Sequence, residues 1–316
     1  MRRMLGVGLA AVTLMAGAAC ANEDPPADSG GTSPGGGGDK GTVSMSGQNF
    51  GEMQIMAAMY QQVLENAGYT VEVKLVDTRD VYVPQLKSGD VDVVPDYLAG
   101  MADILNIQAN GADAPSITTN SAEETLAALK PLADAAGITM LEPAEATDQN
   151  AFAVTKDFAA ENNLTTLSDL AALGQPIVLA AAPDCKGRPD CEGGLTETYG
   201  IDISKILPLG FDSAQTKDSV TQGESQLGLV ATTDGALDQE NLVILEDDKG
   251  IQPAQNLIPA TNTAFINDNP EVATLLNELS ATLTTDDLAA LDLKVAVNRE
   301  QPAAVATEYL TDKGLV

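Results

Sequence analysis

The chemistry open to this 316-residue chain is bounded first by a side chain it lacks, because the sequence contains no histidine. Ser-His-Asp and Cys-His nucleophilic catalysis, H-E-x-x-H zinc sites and imidazole proton transfer are therefore excluded together. What remains is 46 acidic residues against 16 basic ones, three cysteines, 3% aromatic residues and no tryptophan. Two carboxylates at the right separation could still hydrolyse a glycoside, so a secreted carboxylate-dependent enzyme stands as an alternative, although few rings are present to stack a sugar. No cofactor or metal site is expected. A net charge of −30 opposes any attraction to phosphate backbones, so no nucleic-acid partner is expected either.

The cysteines and the start of the chain fix an address. Residues 1–19 carry Arg2 and Arg3, an apolar stretch from Leu5 to Ala16, and the small residues Gly17, Ala18 and Ala19, the three regions of a secretory signal. Cys20 follows directly and is expected to be the lipid-modified first residue, although Gly17 stands where bacterial lipoboxes prefer leucine; cleavage without lipidation is the alternative. Residues 20–41 are rich in Gly, Ser and Pro and read as a disordered tether. The domain is then expected on the outer face of a bacterial cytoplasmic membrane, held there only by lipid. Cys185 and Cys191 are the even pair left in that oxidising compartment and read as a disulfide; redox or metal roles lack both C-x-x-C spacing and histidine partners.

The elements that must position any site alternate between strand and helix periodicity. Strands are predicted at 41–46, 69–76, 91–94 and 138–141, with helices at 50–68 after Asn49, 79–88 and 121–136. Beyond residue 150 the pattern predicts strands at 151–155, 177–181, 206–209, 227–231 and 242–245, with helices at 168–172, 194–199 and 214–222. A last strand at 263–266 precedes helices at 270–282, 285–291 and 301–313. Such alternation predicts an α/β chain of two units with mainly parallel sheets, which bind ligands at the carboxyl ends of their strands.

Two stretches carry a resemblance. Gly47-Gln48-Asn49-Phe50-Gly51-Glu52 precedes the first long helix, and Val83-Pro84-Gln85-Leu86-Lys87-Ser88-Gly89-Asp90-Val91-Asp92-Val93-Val94-Pro95-Asp96-Tyr97 follows it. They resemble, in order and spacing, the G-x-K-N-F-T-E-Q and V-P-A-L-x-x-G-x-I-D-x-x-P-E-Y-T-G segments of the quaternary-amine binding proteins, which take up glycine betaine, carnitine, choline or proline betaine as osmoprotectants. The likeness continues through Asn150 to Val154, Gly194 to Gly200, Ala231 to Gly235 and Leu245 to Lys249, so it covers essentially the whole domain. The resemblance implies a type II periplasmic-binding-protein fold with a ligand cleft between two lobes. Residues 42–148 and 257–316 would form lobe 1 and residues 149–256 lobe 2. It also implies a monomeric receptor that presents a small quaternary amine or zwitterion to ABC permease subunits.

In that family a box of tyrosines holds the trimethylammonium group, since a cation without N–H donors is held by ring faces and dispersion. Tyr97 stands at one box position. Phe152 stands where an N-x-Y segment has tyrosine, after Asn150. The family's A-Y-S-T-D turn is Ala231-Thr232-Thr233-Asp234 here and its P-Y-Q segment is Pro253-Ala254-Gln255, so two tyrosines are missing; Met53 replaces a glutamine. Thr232, Thr233, Asp234, Gln255 and Met53 are carried over by position. Tyr97 could instead be a strand-end surface aromatic and Phe152 a core residue. Arg79 could grip a ligand carboxylate or merely balance neighbouring acids, and Thr78 could contact ligand or cap a helix. With the box depleted, a receptor of this fold serving a different ligand is the main alternative.

Overall fold

The computed structural model describes residues 40–316. The signal segment, Cys20 and all but the last two residues of the tether lie outside the described residues. The described residues form one compact unit built on two five-stranded sheets.

The first sheet takes β1 (Thr42–Gln48), β2 (Thr70–Val76), β3 (Val93–Tyr97) and β4 (Ile138–Met140). The second takes β5 (Asn150–Thr155), β6 (Ile177–Ala181), β7 (Ile203–Pro208), β8 (Leu227–Ala231) and β9 (Leu242–Leu245). The chain then returns to the first sheet as β10 (Leu257–Asn262), giving the orders β2-β1-β3-β10-β4 and β7-β6-β8-β5-β9. Each sheet with its helices is one lobe. The lobes are joined where the chain leaves one sheet and enters the other, with Thr147 and Asn256 bridged antiparallel between the two passes.

These crossings correct the expectation of mainly parallel sheets. β10 runs antiparallel to both β3 and β4, and β5 antiparallel to both β8 and β9. Each arrives from the opposite lobe rather than through a crossover helix, so the right-handed parallel unit does not apply to it. Pro259 lies opposite Pro95, which places two residues without an N–H donor on one rung of the ladder.

A second correction concerns residues 263–266, which form the start of a helix, Thr263–Asp268, rather than a strand. Asn262 ends β10 and its side-chain oxygen accepts from the backbone N–H groups of Ala264 and Phe265, which starts the helix at once.

Strand alternation divides each sheet's side chains between two apolar layers. In lobe 1, Met45, Val93 and Leu257 pack under the helix Gly51–Asn66 and the C-terminal helices, while Val94, Ile258 and Ala260 face the helices on the other side. In lobe 2, Phe152 and Val154 point into a core with Leu179 and Leu229, while Ala151 and Ala153 face the opposite layer. Helix starts follow the sequence: Ser121 caps the helix Ala122–Ala135, and Thr166 and Thr284 form capping boxes with Asp169 and Asp287.

Cys185 and Cys191 are joined by a disulfide with their Cα atoms 5.3 Å apart. The small loop it closes carries Arg188 and Asp190. By the chain-entropy relation, replacing both cysteines with serine is expected to lower unfolding free energy by about 2 kcal/mol, measured by urea denaturation at equal slope.

Candidate functional site

Where the lobes face each other the structure encloses two neighbouring cavities with Asp148 on the wall of both. The first, about 250 Å³, has one wall from lobe 1, with Phe50, Gly51 and Glu52 at the start of the helix Gly51–Asn66 and with Asp292, Leu293 and Val297. Asp212, Thr233, Asp234 and Gly235 of lobe 2 close it. Residues 293–297 form a π-helical turn that continues the helix Thr285–Asp292 over this cavity. The second, about 310 Å³, lies along the crossing strands and is lined by Asn150, Arg188, Asp190, Phe211, Gln252 and Gln255 among others.

The first cavity is an acid cluster with a defined scaffold. Asp96, at the end of β3 and 1% exposed, accepts from Arg79 Nε at 2.9 Å and Nη2 at 2.8 Å, from Tyr82 Oη at 2.5 Å, and from the backbone N–H of Tyr97 at 2.7 Å. The Arg79 guanidinium then lies 6.0 Å from the centre of the Tyr97 ring, and Phe50 stacks on the same ring at 6.4 Å and 11°. Tyr97 is buried, and its hydroxyl donates to Glu52. Thr233 Oγ1 donates to Asp148 at 3.1 Å across the lobes, and Lys217 holds Asp234 at 2.6 Å.

Burial, reinforced by Asp148 and Asp292, pushes the Glu52 carboxyl well above the usual carboxylate range. Burial also raises the Asp148 carboxyl. Asp292 is pushed up to about 7 by burial with Asp148 and Asp234 nearby, and Asp212 to about 7 by burial with Asp234 beside it. Among the described residues, the lining of the first cavity includes no lysine or arginine.

The residues singled out from the sequence fall into four places. Thr233 and Asp234 line the first cavity, with Tyr97 directly behind Glu52. Asn150 and Gln255 line the second; Asn150 Nδ2 donates to Asp190 at 3.0 Å and Gln255 Oε1 accepts from the Gly100 backbone at 3.2 Å. Thr232 belongs to the crossing itself, its hydroxyl accepting from the Gln149 N–H and donating to the Thr147 carbonyl.

The others lie off both cavities. Phe152 and Met53 are each 1% exposed inside the lobe cores: Phe152 shares the strand face of Val154, and Met53 the helix face of Met56 and Met59. Arg79 is spent on Asp96 and is not free for a ligand carboxylate. Thr78 is exposed at the start of the helix Arg79–Ser88, with no capping hydrogen bond from its side chain.

Glu52, Asp148, Asp212 and Asp292 were not singled out from the sequence. For Glu52 a signal existed, since it sits beside Phe50 in the segment that carries the resemblance.

The raised carboxyls fix a pH dependence. A carboxyl with a native value near 7 and an unfolded value near 4 holds a proton in the native state that the unfolded chain has released, so it lowers stability as pH rises between those values. In the unliganded protein, Asp292→Asn is expected to raise Tm at pH 8 by about 2–6 °C, roughly 1–2 kcal/mol in a chain this size, with the gain mostly gone near pH 4.5. Differential scanning calorimetry at both pH values checks this.

Comparison with known proteins identifies the family and the fold. The substrate-binding domain of the ABC-type glycine betaine transport system matches residues 41–312. The chain is 26% identical over 284 residues to a glycine-betaine-binding protein of Pseudomonas aeruginosa, covering 87% of this chain and 89% of that one. It is 28% identical over 273 residues to the glycine betaine-binding protein YehZ of Escherichia coli, covering 83% and 88%. The solved structure of apo YehZ from Escherichia coli superposes with a TM-score of 0.75 at 25% identity, over 87% of this chain and 99% of that one. With two mixed sheets in these strand orders and a cleft between them, the fold is that of the type II periplasmic binding proteins. The chain belongs to the substrate-binding family of ABC-type glycine betaine transport systems.

Proposed function

We propose that this protein is the extracytoplasmic receptor of an ABC importer, capturing a small quaternary amine of the glycine betaine, choline or carnitine class between its lobes. Cys20 anchors it by lipid to the outer face of the cytoplasmic membrane, and a monomer delivers the ligand to the permease subunits without catalysing a reaction. The lobes correspond to residues 42–148 with 257–316, and to residues 149–256. The observation that carries this reading is the interlobe cavity, where Tyr97, Phe50 and Glu52 of lobe 1 meet Thr233 and Asp234 of lobe 2 around Asp148. Its lining of acids favours positive charge.

A second reading, a receptor of the same fold for a different ligand, is favoured by the ring positions. Thr232 and Ala254 carry no ring, and Phe152 points into the core of its lobe. A trimethylammonium group would meet few ring faces here.

Titration calorimetry of the compact unit 37–316 against glycine betaine, choline, carnitine, proline betaine and ergothioneine tests both readings. Saturable binding weakened about 2- to 30-fold by Tyr97→Ala supports the first. No binding to any of them removes the quaternary amines and leaves the second.

Closure can be tested separately. A Cβ placed on Gly235 would lie 2.3 Å from the Ala289 carbonyl oxygen, where the lobe 2 turn presses on the helix Thr285–Asp292 of lobe 1. Gly235→Ala is expected to weaken binding by about tenfold or more in the same titration, because the added methyl forces the lobes apart at this contact.

A further inference from the structure

Glu52 is 3% exposed at the second position of its helix and forms part of the first cavity's wall. One of its oxygens, Oε1, accepts from the Tyr97 hydroxyl. The other, Oε2, is fully enclosed and receives no hydrogen bond from an N–H or hydroxyl group. The group set against it is another acid, Asp292, with which Glu52 shares a side-chain hydrogen bond through the proton that burial keeps on it. On the lobe 2 wall Asp212 Oδ1 is likewise enclosed and accepts no hydrogen bond, with Lys217 Nζ at 4.0 Å. Once such a cluster loses its protons, its buried oxygens are acceptors without donors, which is destabilising unless a donor arrives from elsewhere.

Three ligand chemistries can be compared with that wall. A quaternary ammonium presents only methyl groups and offers no N–H to replace the proton that Glu52 and Asp292 share. It needs ring faces, and the Tyr97 ring already carries Phe50 and Arg79. A zwitterion brings a carboxylate that needs cations or N–H donors, whereas Arg79 is committed to Asp96 and Lys217 to Asp234. An ammonium with N–H bonds satisfies Glu52 directly and can reach a second acid in the same cluster.

We infer that the interlobe cavity takes a small protonated amine that bears N–H donors and carries no carboxylate. This rests on the receptor reading and gives the second of its two ligand classes a chemistry. The acids facing Glu52 are Asp292 from the helix Thr285–Asp292 and Asp148 from the crossing strand, with the Tyr97 hydroxyl from β3 donating to it; Asp234, on the lobe 2 turn and paired with Lys217, faces Asp292. In the empty cavity a proton held among these acids stands where the ammonium would sit, so binding expels it and tightens as pH rises through the range where Asp292 titrates, about 7.

The test is a ladder of probes with one skeleton, titrated calorimetrically into the full-length chain: ethanolamine, N,N-dimethylethanolamine and choline, which carry three, one and no N–H bonds, with glycine betaine as the zwitterion. Affinity is expected to fall about tenfold or more from ethanolamine to choline, with glycine betaine weakest. Glu52→Gln is expected to compress the ladder to within about threefold. If that variant does not fold, Asp292→Asn, which keeps the scaffold of Tyr97 and Asp96, is expected to weaken ethanolamine more than choline.

Choline or glycine betaine binding at least as tightly as ethanolamine overturns this inference and leaves the receptor reading standing. A ladder unchanged in a folded Glu52→Gln or Asp292→Asn protein overturns the assignment to this wall. No saturable binding by any of the four overturns this inference and the amine receptor reading together.

Discussion

The Asp96 carboxylate at the end of β3 takes donors from the Arg79 guanidinium, the Tyr82 hydroxyl and the backbone of Tyr97. A buried anion persists only when its lone pairs are filled in this way. The consequences spread outward. The ion pair ties the first turn of the helix Arg79–Ser88 to the sheet and sets the guanidinium beside the Tyr97 ring, whose hydroxyl donates to Glu52. Room for the guanidinium depends on Gly100, where a Cβ would lie 2.5 Å from Arg79 Nη2. The lobe 1 face of the cleft is thus one connected arrangement, in which Glu52 lines the cavity and other residues hold it in place.

The lobe 2 face is organised by the crossings. Gln149 donates from its backbone to Thr232 and from its side chain to the Pro253 carbonyl, tying the outgoing pass to the turn after β8 and to the returning pass. Asp148 lies at the middle of this arrangement and belongs to both cavities. The lobes approach closely at two further places, Gly235 against Ala289 and Gly250 against Asn120, where a Cβ on Gly250 would lie 1.8 Å from the Asn120 side chain. The acids of opposite lobes are therefore held near one another by close approach at these two glycines as well as by the crossings.

Much of this was legible in the sequence wherever periodicity and punctuation agree. Arg79–Ser88, Ile177–Ala181, Leu227–Ala231 and Leu242–Leu245 follow the predicted bounds. The helix Leu98–Asn110 was not predicted, because it continues from β3 with Tyr97 at its start and no capping side chain. Residues 263–266 read as a strand from their bulky side chains, but Asn262 settles them as a helix through two backbone hydrogen bonds. Of the residues at the interlobe cavity, Thr233, Asp234 and the Tyr97 behind Glu52 were singled out through their place in segments resembling a known family. Glu52, Asp148 and Asp292 were not, because a chain with 46 acidic residues gives no local sign of which of them burial will select. Burial depends on contacts between residues far apart in sequence, which neither spacing nor composition records.

The position of β10 also governs how the molecule can be assembled. It lies between β3 and β4, and among the described strands β4 pairs with β10 alone. Lobe 1 therefore stays an open three-stranded sheet with a detached edge segment until residues 257–262 have emerged, after the whole second sheet. The second sheet draws all its strands from one continuous stretch and can close first, while its partner waits on the most distant pairing in the chain. The acid-lined cleft, whose wall also takes Asp292, Leu293 and Val297, is therefore complete only when the last part of the chain has joined the fold.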